Sequence, residues 1–265
     1  MFHGNEEYKT NVVWHINRHI FEINVTNMCN LRCPNCQACV GIAPDFTHIS
    51  LKHVEKFIED AISLKCCWDT IKLTGGEPTL HPQFKEIVFL LDKYRLFNRS
   101  SIKKSGLRIP VCQFKLLTNG TNSEFTKGLP KWLKLQNQNS IPNKIWNIFE
   151  SFNVSPIDTP EYKDIDKKVF RQLCSRVTKC GGCALGADGL YYSCEVSYHV
   201  DRVFDLKTGV TTLKQLLDAT DNEARDRLAK CCMYCGYFKY PRDVVTKQVV
   251  SPSWKKAIEK KRKIY

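Results

Sequence analysis

Apolar and polar positions set out a regular series of elements along the first two thirds of the chain. Phe21 to Val25 (FEINV) alternates and predicts a strand ending in a loop. Leu51, Val54, Phe57, Ile58, Ala61 and Ile62 form one apolar stripe, and Ser50 stands where an N-cap belongs, so a helix is predicted from Leu51 to Leu64. Thr70 to Leu73 reads as a short strand broken by Gly75 and Gly76. Pro82 opens a second helix through Leu91, with Phe84, Ile87, Val88 and Leu91 on one face. Phe114 to Leu117 is a third strand, stopped by Asn119 and Gly120. Ile145 to Val154 is a fourth candidate strand, and Asp158 or Thr159 begins a helix to about Leu173. Asn98 to Pro110 reads as a basic loop, and Lys127 to Lys144 supports no clear helix.

Strand, helix, strand, helix, strand is the rhythm of a mostly parallel sheet, whose ligands bind beyond the C-terminal strand ends. Three distinctive segments fall at that edge: the cysteines after Val25, the glycines after Leu73, and Asn119 after Leu117. Past Leu173 the chain becomes crowded with glycine and cysteine. Leu190 to Tyr192 and Arg202 to Phe204 are expected to pair as short strands, and helices are expected over Leu213 to Leu217 and Glu223 to Ala229. The expected organisation is a core over 16–173, a small unit over 174–240 and a basic tail over 241–265, in which Ser253 to Arg262 is a lysine-rich helix or a fray. The fold class is α/β: a partial (β/α) barrel with mostly parallel strands, trimmed because the core is short, then a small cysteine-rich α+β unit.

Composition sharpens this picture. With 265 residues and 43% hydrophobic content a real core is expected, and no run reaches the roughly 18 apolar residues of a membrane span. Met1 to Asn11 carries no apolar signal core. The net charge of +13 keeps nucleic acid and anionic substrates among the partners to consider. Fourteen cysteines in a chain read as cytoplasmic point to metal ligation by thiolates rather than to disulfides. They fall in an early and a late cluster, which suggests two metal sites.

The early cluster, Cys29-Asn30-Leu31-Arg32-Cys33-Pro34-Asn35-Cys36, is C-x3-C-x2-C. Its spacing leaves open an iron–sulfur cube held by three thiolates and a zinc site completed by Cys39. A shifted triad of Cys33, Cys36 and Cys39 is a lesser alternative; otherwise Cys39 is a buried small apolar residue.

The run EINVTNMCNLRCPNCQ, together with Lys72-Leu73-Thr74-Gly75-Gly76-Glu77-Pro78, resembles the paired signature of the radical S-adenosylmethionine (radical SAM) superfamily. The resemblance implies that Cys29, Cys33 and Cys36 bind a [4Fe-4S] cluster and leave one iron open for S-adenosylmethionine (SAM). Gly75 and Gly76 would let the backbone approach the methionine amino group, with Glu77 close by. The residue before the third cysteine, often aromatic in the family, is Asn35 here, which keeps a hydrogen-bonding group beside the adenine. Asn119 matches the family's third-strand end and is a candidate SAM contact. His81 is read as a surface or capping histidine rather than a ligand.

The late cysteines resemble the SPASM and shorter twitch auxiliary-cluster domains. Gly189 precedes Cys194 by five residues, as in their hairpin, and Cys232-Met233-Tyr234-Cys235 matches the closing pair. The leading ligand is Cys183, with Cys180 or Cys174 as alternatives. A second, auxiliary [4Fe-4S] cluster is thus implied, and the bland alternative is zinc on Cys180, Cys183, Cys232 and Cys235. Cys66, Cys67 and Cys112 are expected to be core or inert thiols.

What the resemblance implies for activity is one-electron reduction of SAM to methionine and a 5′-deoxyadenosyl radical, which abstracts hydrogen from a C–H bond. A reductant such as flavodoxin or ferredoxin would supply the electron. The first choice of reaction is net two-electron oxidation of a small molecule. Peptide or protein modification (thioether crosslinking or epimerisation, with Cys112 as a spare hydrogen donor) and RNA or nucleotide modification follow. The substrate is a small molecule or peptide, anionic in one version, and no residue is singled out as catalytic. A different class, a zinc-dependent nucleic-acid-binding module, uses the same cysteines. No membrane partner is expected.

Overall fold

The computed structural model describes residues 20–33, 36–43, 45–66, 68–105, 112–137, 182–236 and 250–262. Six strands form one sheet: β1 (Ile20–Thr26), β2 (Thr70–Gly75), β3 (Gln113–Thr118), β4 (Leu133–Asn137), β5 (Cys183–Leu185) and β6 (Tyr191–Tyr192), in the order β4-β3-β2-β1-β5-β6. The first five are mutually parallel; only β6 runs against its neighbour, β5. The mostly parallel partial barrel and the α+β region after it are therefore present.

Alternation divides the sheet into two faces. Phe21, Ile23, Ile71, Leu73, Phe114, Leu116, Cys183 and Leu185 lie on the face that packs against helices α1 (Leu51–Ser63) and α2 (Phe84–Ser105). Helix α1 begins where Ser50 accepts a hydrogen bond from the His53 amide, and it buries Val54, Phe57, Ile58 and Ala61. Its Phe57 stacks on Phe21 with ring centroids 4.7 Å apart, beside the buried Trp68 and Tyr94. Burying each such side chain contributes about 1.5–3 kcal/mol.

Several elements differ from expectation. Helix α2 runs on to Ser105, into the stretch expected to be a basic loop. Strand β4 lies inside the uninformative Lys127 to Lys144 segment and follows a short helix, α3 (Ser123–Lys127). Arg202 to Phe204 is not a strand but the end of helix α4 (Glu195–Phe204). There Val196, Val200 and Val203 recur at helical spacing and are buried. Asp205, at φ 56°, ends that helix, and the buried Asp201 carboxylate accepts the Leu206, Lys207 and Thr208 amides of the next turn. Strand β5 follows Leu173 in sequence but pairs with β1, so the sheet draws on both parts of the chain. The candidate strand Ile145 to Val154 and the helix to Leu173 lie outside the described residues.

Helices α5 (Leu213–Leu217) and α6 (Asp221–Cys232) match expectation, each opened by a reciprocal capping box, from Thr212 and Thr220 respectively. Helix α7 (Pro252–Arg262) gives the lysine-rich end of the chain a defined place: Trp254 is fully buried and its indole N–H donates to the Tyr234 carbonyl at 2.7 Å. Trp254, Ile258, Val196, Val200 and Val203 enclose a second apolar cluster holding Cys39, Cys194, Cys231, Cys232 and Cys235.

Candidate functional site

Three loops leave the C-terminal edge of the parallel strands and meet there. The loop after β1 carries Cys29, Cys33 and Cys36, all partly buried. Burial pushes the Cys33 thiol up to about 11, and the negative charges of Cys36 and then Cys29 add to the rise. Cys29 and Cys36 are raised as well, first by burial, with Cys36 adding to the rise at Cys29. Thiols that repel one another as thiolates ionise together only beside a cation, and an iron cluster is such a centre. Donors already face the sulfurs: the Leu31 amide points at Cys29 Sγ at 3.4 Å, and the Ala38, Cys39 and Val40 amides serve Cys36. Hydrogen bonds of this kind tune sulfur-ligated iron. Among the described residues no three His, Cys, Asp or Glu groups are arranged around a single metal ion.

The loop after β2 lies against the first. Gly76 donates its amide to the Thr26 carbonyl and Glu77 to the Met28 carbonyl, both at 2.7 Å. A Cβ on Gly75, whose φ is +138°, would stand 2.2 Å from Thr26 O, and one on Gly76 would stand 2.0 Å from Met28 O. In this structure the space freed by the two glycines is thus filled by the backbone of the cysteine loop, which explains the residue type without a ligand. Glu77 has no exposed surface. Its Oε1 accepts from the Thr79 amide at 3.1 Å, the Thr79 hydroxyl at 2.7 Å and the Thr118 hydroxyl at 2.8 Å; its Oε2 accepts from the Asn119 amide at 2.7 Å. One carboxylate therefore fastens the second loop to the third.

Asn119 carries the connection on to the cysteines. Its Nδ2 donates to Asn30 Oδ1 at 2.8 Å and lies 3.9 Å from Cys29 Sγ. Its Oδ1 accepts from the Thr121 amide and hydroxyl, and Asn30 donates to that hydroxyl in turn. Asn35 lies outside the described residues. His81 is buried rather than on the surface: Nε2 donates to the Ile49 carbonyl at 2.8 Å, and Nδ1 accepts from the Gln83 amide at 3.0 Å, a capping role. Burial lowers its pKa.

The late cysteines divide. Cys194, at the N-cap of α4, shares the second apolar cluster with Cys232 and Cys235 at the end of α6. Cys183 is not with them; it faces the main core on β5, opposite Phe21. Cys174 and Cys180 lie outside the described residues. Cys39 joins the late cysteines, fully buried. Cys231 sits against Ser197 and Thr208, its thiol pushed up to about 12 by burial. Cys66 and Cys112 are core residues, as expected.

Sequence reasoning missed Arg202. From α4 its guanidinium donates to the Ala43 carbonyl at 2.7 Å and the Ala38 carbonyl at 3.0 Å, and it stands 3.7 Å from Asp45. It grips the chain just past Cys36 and places a positive charge near that thiol. Asn27 and Tyr198 exchange hydrogen bonds of 2.8 and 3.1 Å nearby, tying α4 to the end of β1. Long-range polar contacts of this kind have no local sequence signal.

At the strand ends of this parallel sheet the first strand leads into three thiols, and a glycine-glycine-glutamate turn braces the loop that carries them. Residues 23–139 match the family model of the Radical SAM superfamily. GTP 3′,8-cyclase of Clostridium acetobutylicum is 30% identical over 89 residues, covering 33% of this chain and 27% of that protein. The enzyme of the same name from Peptoclostridium acidaminophilum is 35% identical over 86 residues, covering 32% and 26%. The matched segment thus spans about a quarter of these relatives. Among solved structures, BtrN in complex with AdoMet and 2-DOIA aligns over 88% of this chain and 97% of its own at 11% identity, with a TM-score of 0.46. Among the described residues no helix is long and apolar enough to cross a membrane.

Proposed function

We propose that this chain is a radical SAM enzyme that abstracts a hydrogen atom from its substrate and completes a net two-electron oxidation of a small molecule. The observation that carries the proposal is the joining of three loops at one sheet edge. Cys29, Cys33 and Cys36 lie on the first, Gly75 to Glu77 are hydrogen-bonded against it, and Asn119 reaches from the third to Asn30 and Cys29. Cys29, Cys33 and Cys36 would hold a [4Fe-4S] cluster with one iron left for SAM, and that cluster would supply the one-electron reduction on which radical chemistry with SAM depends.

The protein's own residues hold and orient. Cys29, Cys33 and Cys36 give up their protons to bind iron. The Leu31, Ala38, Cys39 and Val40 amides and Asn119 Nδ2 temper the thiolate charge. Glu77 keeps the second and third loops in register with the cysteine loop. Cys194, Cys232 and Cys235, with one further thiol from Cys180 or Cys174, would hold an auxiliary [4Fe-4S] cluster, which would supply an acceptor for the second electron. A flavodoxin or ferredoxin is the proposed reductant. The test is anaerobic turnover of the reconstituted protein with SAM, dithionite and candidate substrates in deuterated form. Deuterium in 5′-deoxyadenosine together with an oxidised product supports the proposal; formation of deoxyadenosine without oxidised product from any abstraction substrate overturns the oxidation.

A further inference from the structure

The face of the sheet turned away from α1 and α2 is polar and carries a row of lysines. Cross-strand register aligns Glu22 of β1 with Lys72 of β2, Lys72 with Lys115 of β3, and Lys115 with Lys134 of β4. Three lysines on three adjacent strands therefore stand side by side. Strands lie about 4.8 Å apart, so the row extends over about 10 Å. Glu22 accepts from Lys72 Nζ at 2.8 Å, an ion pair that is largely buried. Among the described residues no carboxylate pairs with Lys115 or Lys134, which are register neighbours on β3 and β4.

Like charges placed opposite each other weaken a sheet. An edge lysine that discourages strand addition would account for Lys134 by itself. It does not account for Lys115, which lies between two other lysines in the interior of the sheet. A second observation comes from the same face. Asn24, two residues beyond Glu22 and aligned with Thr74 of β2, has no exposed surface, yet neither its Nδ2 nor its Oδ1 has a hydrogen-bond partner. A buried amide with neither end satisfied costs about 1–3 kcal/mol per group. Both features are relieved by one ligand that brings negative charge to the lysines and a polar group to the amide.

We infer that this face binds the substrate through the Lys72–Lys115–Lys134 row, and that the substrate is a small molecule carrying several negative charges, as phosphate or as clustered carboxylates. The inference rests on the radical SAM reading above for its claim that the bound molecule is the substrate. Lysine ammonium groups act here as point charges, which suits either anion. Asn24 lies closer than the lysines to the cysteine edge of the sheet, so the anionic end of the molecule sits away from the cysteines and its uncharged part extends toward them.

Calorimetric titration of the anaerobic, cluster-loaded protein with inorganic pyrophosphate and, separately, with citrate tests the assignment. At least one anion is expected to bind, with the stronger of the two distinguishing phosphate from carboxylate recognition. Lys115→Gln is expected to weaken that binding roughly tenfold, as loss of one charged contact does. Lys134→Glu, at an exposed position on the outermost of the described strands, is expected to weaken it by at least as much. Exposed Lys56→Gln, on α1 at the other face, serves as the control and should bind as the wild type does. Failure of both anions to bind the wild type, or unchanged affinity in a folded Lys134→Glu protein, overturns the inference. The same preparation is assayed for SAM cleavage. Cleavage without lysine-dependent anion binding removes this inference alone; lysine-dependent binding without cleavage removes the radical SAM reading and leaves an anion site that is not that reaction's substrate site.

Discussion

Replacing Glu77 separates a clamp from a spectator. The carboxylate is fully buried and accepts four hydrogen bonds, three on Oε1 and one on Oε2. In Glu77→Ala the Thr79 and Thr118 hydroxyls can turn elsewhere, but the Thr79 and Asn119 amides cannot. Two orphaned amides at about 1–3 kcal/mol each give a loss of about 4 kcal/mol. Glu77→Gln keeps the shape. Its oxygen retains the three donors at Oε1, and its NH2 then faces the Asn119 amide, so one bond becomes a donor–donor contact and the loss is about 2 kcal/mol. For a chain of this size about 1 kcal/mol corresponds to about 2–4 °C in melting temperature. Thermal unfolding followed by circular dichroism is therefore expected to give a drop of about 4–8 °C for Gln and about twice that for Ala. Equal drops in the two variants, or a drop under about 2 °C in Glu77→Ala, would refute the clamp. The Asn119 contact to Asn30 should loosen in step, which faster amide exchange at Thr121 reports.

Three further outcomes follow from named contacts. Arg202→Gln is expected to cost about 2 kcal/mol, because one of two charged bonds to the Ala38 and Ala43 carbonyls is lost; amide exchange across residues 38–43 should quicken, and unchanged exchange there contradicts the grip. His199 is buried, with its pKa lowered to about 3 by desolvation and then by the charge of Arg202. The unfolded chain binds a proton near pH 6.5 that the native chain refuses, so stability is complete above that pH and falls as pH drops toward 3, by about 1 kcal/mol between pH 6 and 5. Urea unfolding of His199→Gln should lack this component, and an identical pH profile in the variant rules it out. Replacing Cys232 and Cys235 together by Ala is expected to lower bound iron from about eight to about four atoms per chain; iron content equal to that of the wild type would remove both residues from the auxiliary site.

Much of this architecture was legible because it is written locally. The Ser50 cap and the stripe from Leu51 to Ile62 announce α1, and the pairing of Cys29-x3-Cys33-x2-Cys36 with Gly75-Gly76-Glu77 announces the site. What escaped depends on contacts distant in sequence. Strand β4 has weak alternation and an exposed Leu135, and it forms by pairing with β3. Arg202 to Phe204 looks extended in isolation, yet the apolar positions of α4 show the helical period only when read from Val196. Cys183 satisfies a metal-ligand spacing on paper, but pairing of β5 with β1 turns it into the main core, away from Cys194, Cys232 and Cys235. The glycines were expected to make room for a ligand, whereas they also make room for Thr26 and Met28, a demand that only the juxtaposed loops reveal.

Electron paramagnetic resonance of the reduced, reconstituted protein with and without SAM bears most directly on the open iron. A cluster held by Cys29, Cys33 and Cys36 alone is expected to change its signal when SAM is added, to lose that response in Cys33→Ala, and to yield 5′-deoxyadenosine only in the wild type. A reduced-cluster spectrum indifferent to SAM, with no deoxyadenosine formed, would contradict a site built to leave one iron for SAM.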